Sequence, residues 1–173
     1  KVGLFTRRLE NVTKQFPDVV EVVKNHIKAN ECIVEGEAWP IDLKTGKPMP
    51  FQKLSQRIQR KYEIEKMAKE IPVQLNLFDI MYFNGEVLFQ KPLKVRRKIL
   101  ESIVEEVPFK LKLAESIITD KVDEIENFYH KALELKQEGV FLKNPDSAYI
   151  FGRHVGGWYK IKPTMETLDL VIV

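Results

Sequence analysis

The stretch from Val73 to Phe83 constrains this chain more than any other. It is the longest strand signal in the sequence, opened by Pro72 and closed by Asn84 and Gly85. Val73, Leu75, Leu77, Asp79, Met81 and Phe83 fall on one face, and Gln74, Asn76, Phe78, Ile80 and Tyr82 on the other. Asn-Gly is a favoured two-residue hairpin turn, so the chain should fold back into a partner strand over Val87 to Phe89. Asp79 is the anomaly in this pattern. A carboxylate on an apolar face must be paired or hydrogen-bonded.

Other strands are expected over Lys1 to Thr6, Glu31 to Ile41, Leu111 to Leu113, Val140 to Lys143, Trp158 to Lys162 and the terminal run Leu168 to Val173. Phe16, Val19, Val20, Val23 and Ile27 recur at helical spacing behind Pro17, and Phe51, Leu54 and Ile58 suggest a short basic helix. Pro92 starts a helix carrying Leu93, Val95, Ile99, Leu100 and Ile103, and another runs from about Val122 to Gln137. The elements mix without a regular β-α-β beat. An α+β fold of antiparallel sheets with flanking helices is therefore favoured over a doubly wound parallel sheet.

At 173 residues, 44% hydrophobic and 31% charged, the chain can bury a core without covalent staples, and its single cysteine, Cys32, has no internal partner. That composition fits a reducing compartment, and a cytoplasmic monomer is expected. No apolar run approaches the roughly 20 residues needed to cross a bilayer, so no membrane partner is expected. The net charge of +3 is too near balance to argue for nucleic acid by itself. Basic residues nevertheless cluster at Arg7 and Arg8, at Arg57 through Lys61, at Lys94 through Lys98, and at Lys160 with Lys162, mostly as solvated helix faces. Both ends fall inside β-rich runs, so residues 1–173 read as a fragment of a larger domain.

Three places could carry chemistry. Glu35-Gly36-Glu37 puts two carboxylates on one strand face, with a glycine between them that permits close approach of a ligand or another strand. Glu138-Gly139 precedes the short apolar strand that ends in Lys143, with Gly139 readable as a helix C-cap. Lys160-Ile161-Lys162, flanked by Trp158, Tyr159 and Pro163, sets two mobile cations where a polyanion could sit. Phe78 reads most simply as core. His26, His130 and His154 are scattered without metal-ligand spacing, and neither a glycine-rich phosphate loop nor a Gly-x-Ser-x-Gly elbow occurs.

Read in order, Phe5-Thr6-Arg7-Arg8-Leu9-Glu10-Asn11-Val12-Thr13, Glu35-Gly36-Glu37, Leu77-Phe78-Asp79-Ile80, Glu138 through Lys143 and Trp158 through Pro163 resemble the ordered motifs of ATP-dependent DNA ligases, the archaeal branch above all. The resemblance covers essentially the whole chain. It implies the nucleotidyltransferase, or adenylation, domain, with ATP held between antiparallel sheets and Mg²⁺ as the metal. In that family a lysine attacks the α-phosphate of ATP and releases pyrophosphate, AMP passes to a DNA 5′-phosphate, and a 3′-hydroxyl displaces AMP to seal the nick. Carried over, Phe78 would stack on adenine, Glu37 would meet the ribose or a metal, and Glu138 would help hold the cation. Lys160 and Lys162 would bind the phosphates and serve catalysis, Lys143 would belong to the nucleotide site, and Arg7 would contact nucleotide or DNA phosphate. Nicked duplex DNA is the implied partner, in repair, replication and recombination. A sliding clamp would dock through segments outside this stretch.

The nucleophile motif of the family, Lys-x-Asp-Gly, does not occur here, and Lys1-Val2-Gly3 does not fit it. Lysine attacks only when its pKa is lowered, and no other lysine carries a motif that marks it for that role. The chain as given should therefore not form lysyl-AMP. The OB-fold and N-terminal DNA-binding domains of the family are also expected outside residues 1–173. Competing readings are an RNA ligase or capping-type nucleotidyltransferase, or a non-catalytic nucleic-acid module with Arg57, Arg60, Lys61, Arg96 and Arg97 on the phosphates.

Overall fold

The structure is a computed structural model, and it describes residues 1–135, 137–152 and 157–163. Two compact units are present: Lys1–Ser116 with Pro145–Phe151, and Ile117–Asn144 with Gly152–Val173. The expected strand over Leu168 to Val173 lies outside the described residues.

The first unit is built on β1 (Cys32–Asp42) and β3 (Val73–Phe83), paired antiparallel as the alternation predicts. β2 (Lys47–Pro48) extends the sheet beyond β1, and β4 (Glu86–Val87) returns along the far edge of β3 through the Asn84-Gly85 turn. Both turn residues have positive φ, 46° and 93°, which suits Asn and Gly. The same edge of β3 also takes β5 (Leu111–Leu113), in parallel. This pairing departs from the all-antiparallel expectation. The helix α4 (Leu93–Ile103) forms the crossover that parallel pairing requires.

One face of the sheet is covered by α1 (Pro17–His26) and α4. Val22, Leu77, Ile80, Leu88, Leu100, Ile103 and Leu111 form the main core. A second cluster of Val12, Phe16, Val19, Leu54 and Val73 seats α2 (Phe51–Ile58). The helix α3 (Ile64–Glu70) follows, with no buried residue. Lys1 to Thr6 is not a strand. Leu4 is bound by Val12 N–H and Thr13 Oγ1, and only an isolated bridge joins Phe5 to Asn11, so local side-chain bonding closes a loop instead of extending the sheet.

The second unit contains α5 (Val122–Glu134) and a two-stranded antiparallel ribbon of β6 (Val140–Lys143) and β7 (Trp158–Ile161). Among the described residues, no helix is long and apolar enough to cross a membrane.

Candidate nucleotide site

The sequence-predicted residues fall into two groups, one on each unit. On the first, the register between β1 and β3 slips twice. Glu35 faces Asp79 but Gly36 faces Leu77, so Phe78 is an extra residue on β3, and a second slip occurs opposite Ile33 and Val34. Such bulges re-aim side chains. Simple alternation therefore fails: Leu77, Asp79 and Ile80 are all buried, and Phe78 is half-buried rather than core.

Gly36 lets this happen. A Cβ there would lie 2.8 Å from Asn76 O and 2.9 Å from Leu77 Cδ2, so the close approach is that of a neighbouring strand. Glu37, opposite Asn76, is exposed, and its carboxylate has no hydrogen-bond or ion-pair partner among the described residues. Arg7 stands with Arg8 at the tip of a loop in which Thr6 Oγ1 accepts from Arg8 and Glu10 N–H and Leu9 turns at φ 62°. Both arginines are exposed and make no ion pair among the described residues. The base of this loop, Leu4 and Val12, packs in the cluster that includes Ala38 and Val73.

Asp79 finds its partner in Arg96. Asp79 Oδ1 accepts from Arg96 Nε at 2.8 Å, Oδ2 accepts from Nη2 at 2.9 Å, and both side chains are fully buried. Arg57 is likewise buried, donating to Asp18 at 2.9 and 2.5 Å and to the carbonyls of Ile71 and Gln15. These two arginines are not phosphate-binding groups on a solvated helix face, and the non-catalytic reading that relied on them loses its anchors. Arg60 and Arg97 are also engaged, with Glu63 and Glu101. The spacing held a signal: Arg96 is at i−4 and i−7 to Leu100 and Ile103, on the apolar face of its helix.

On the second unit, cross-strand pairing matches Phe141 with Lys160 and Lys143 with Trp158, so these four share one face of the ribbon. Lys143 Nζ stands 3.5 Å from the Trp158 ring centroid, and Lys160 Nζ is 5.6 Å from that of Phe141. Lys160 Nζ also donates to Glu138 Oε2 at 2.5 Å. That bond and charge, helped by Lys162, hold the Glu138 carboxyl below its ordinary range against a small desolvation effect, so it is ionised at neutral pH. Gly139 is no helix C-cap, because α5 is capped at Leu135. With φ at 137°, its missing Cβ makes room for β7: a methyl there would meet Ile161 O at 1.9 Å.

Among the described residues, no cluster of three or more metal-ligating side chains exists. The donors nevertheless fit Mg²⁺, which keeps much of its water and binds through one or two carboxylates plus substrate phosphates. Exposed, ionised Glu138 and unpartnered Glu37 are donors of that kind.

The chain superposes on the ligase domain of LigD from M. tuberculosis with a TM-score of 0.66 and 26% identity, over 94% of this chain and 47% of that one. A mycobacterial DNA ligase D complexed with ATP and MES gives 0.64 and 25%, over 92% and 47%. The fold is thus that of a DNA ligase nucleotidyltransferase domain.

The family model of the ATP dependent DNA ligase domain matches residues 1–162. The DNA ligase of Nanoarchaeum equitans is 54% identical over 173 residues, and that of Thermococcus onnurineus 51%, each covering 100% of this chain and 30% of the relative. DNA ligase 2 of Methanosarcina acetivorans is 49% identical over 175 residues, 31% of its length. The chain belongs to the ATP-dependent DNA ligase domain family, among archaeal relatives, and spans about 30% of their length.

Proposed function

We propose that this chain is the nucleotide-handling core of an ATP-dependent DNA ligase that seals nicks in duplex DNA as a cytoplasmic monomer. The observation that carries the reading is the exposed Lys160, with Lys162 two residues on, bonded to ionised Glu138, on the ribbon face that also carries Lys143. The Glu138–Lys160 pair is exposed at 84% and 38%, and exposed pairs contribute only about 0–1 kcal/mol. It can therefore be exchanged at little cost. ATP phosphates would take the lysines, and a Mg²⁺ ion would take the carboxylate and neutralise phosphate charge. Glu37 would contribute to the ribose or the metal, Phe78 would stack on the base, and Arg7 would meet nucleotide or DNA phosphate.

Phosphoryl transfer depends on such positioning and charge neutralisation. The nucleophilic lysine would come from a Lys-x-Asp-Gly segment outside this chain. OB-fold and DNA-binding domains, within the remaining length of its relatives, would complete the grip on DNA and any clamp contact. Calorimetric titration with Mg²⁺·ATP tests the reading. The chain should bind it, with Phe78→Ala and Lys160→Ala each weakening affinity about tenfold, while mass spectrometry should find no covalent adenylate. Equal binding by all three proteins would sink the site assignment, and an adenylated lysine would sink the claim about the nucleophile.

A further inference from the structure

The segment Pro145–Phe151 connects the two strands of the ribbon but belongs to the first unit. It is tied there through Leu93 and Lys94 N–H to the carbonyls of Ser147 and Pro145, and through Tyr149 N–H to Phe89 O at 2.7 Å. Tyr149 is its centre. The hydroxyl donates to Glu35 Oε1 at 2.8 Å, and the ring stacks edge-on against Phe151 at 5.0 Å, itself 5.3 Å from Phe89. The Arg96 guanidinium lies 5.8 Å from the Tyr149 centroid and also donates to Ser147 O.

These contacts converge on the bulge. Glu35 is the β1 residue opposite Asp79, and the slip that isolates Phe78 falls between Glu35 and Gly36. On β3, Asp79 Oδ1 accepts from Ile80 N–H at 2.8 Å while both carboxylate oxygens are held by Arg96. Tyr149 thus grips β1 through Glu35 and borders the ion pair that fixes β3. Burial, then the bond and charge of Glu35, hold its phenol above the ordinary range, so it stays a donor.

We propose that Tyr149 is a positioning residue for the nucleotide: by holding Glu35 against the Phe78–Asp79 bulge, its hydroxyl sets the relative placement of Phe78 and Glu37. This rests on the nucleotide reading above. Neither Tyr149 nor Glu35 needs to touch the ligand. The role is indirect, through the two strands, and shows as a loss of affinity with only a small loss of stability.

The test is a double-mutant cycle on Mg²⁺·ATP affinity, with thermal unfolding measured alongside. Tyr149→Phe keeps the ring and deletes the bond, and Glu35→Ala deletes the acceptor. Each should weaken binding about fivefold to tenfold, the pair together no more than either alone, while Tm falls by about 2–4 °C. Glu35→Gln, which keeps an acceptor oxygen for the hydroxyl, should recover affinity to within about twofold of the unmodified chain. Tight binding by the unmodified chain together with unchanged affinity in Tyr149→Phe overturns the positioning role alone. So does a Glu35→Gln variant as weak as Glu35→Ala, since the charge and not the bond would then matter. Absence of binding by the unmodified chain overturns the nucleotide reading, and the positioning role with it.

Discussion

Two kinds of ion pair in this chain are built in opposite ways. In the first, Arg57 and Arg96 are fully buried and locked by carboxylates and carbonyls, whereas in the second, Lys160 and Glu138 pair in the open. Burial makes a charge pair dependent on both of its members, because removing one leaves the other desolvated and uncompensated. Exposure makes a pair replaceable. The Arg57 and Arg96 pairs are therefore structural, while the Lys160–Glu138 pair on the ribbon is exchangeable.

The largest break in that contrast should come from Arg96→Met. Stranding Asp79 in the core is expected to cost about 3–5 kcal/mol in urea denaturation, and Arg96→Lys should recover little of it, because an ammonium cannot make the bidentate contact. Arg57→Ala should cost somewhat less, about 2–4 kcal/mol, since Asp18 is 34% exposed and water can reach it. If either substitution proves silent, the distinction between locked and replaceable charge fails.

Gly139→Ala should come next, at about 1–3 kcal/mol, seen as faster hydrogen exchange across Val140–Lys143 and Trp158–Ile161, with the first unit's core unaffected. Smallest in stability is Lys160→Ala, expected within about 1 kcal/mol. It should instead raise the Glu138 titration toward the ordinary carboxylate value, read by carbon NMR of the carboxyl group. The sign follows from the direction of the shift. A carboxyl held low in the folded state stabilises above its unfolded pKa, and that contribution is lost as pH falls through the depressed value. A Glu138 that titrates identically in both proteins would contradict the pairing.

Much of the fold was legible because it follows from short-range pattern. β3 runs from Val73 to Phe83 as the alternation predicts, and the hairpin at Asn84-Gly85, α1, α2, α4 and α5 fall where their apolar spacing and prolines place them. What escaped depends on distant residues. α3 spans only seven residues, and its short apolar stripe of Ile64, Met67 and Ala68, half-buried and set among charges, was passed over in the sequence. The bulge at Phe78 breaks the regular pleat that alternation assumes, and nothing within β3 announces it. Arg57 looked like part of a basic run until Asp18, far away in sequence, was found against it. For the candidate site, Glu138 with Lys143 and Lys160 with Lys162 were legible as two separate short stretches, and it is the pairing of β6 with β7 that brings Lys160 to Glu138. Tyr149 was not, because its meaning comes from Glu35 and Arg96 on other elements.

The discontinuous make-up of the first unit also dictates when it can be finished. Its last piece, Pro145–Phe151, emerges from the ribosome only after the whole stretch from Ile117 to Asn144. At synthesis rates of about 5–20 residues per second, that is a delay on the order of seconds. During it, the nascent sheet holds Arg96 without the Ser147 carbonyl and Glu35 without the Tyr149 hydroxyl. Completion of the first unit is thus coupled to synthesis of the whole of α5 and β6, so a stalled or prematurely ended chain would present an unfinished sheet to chaperones and proteases.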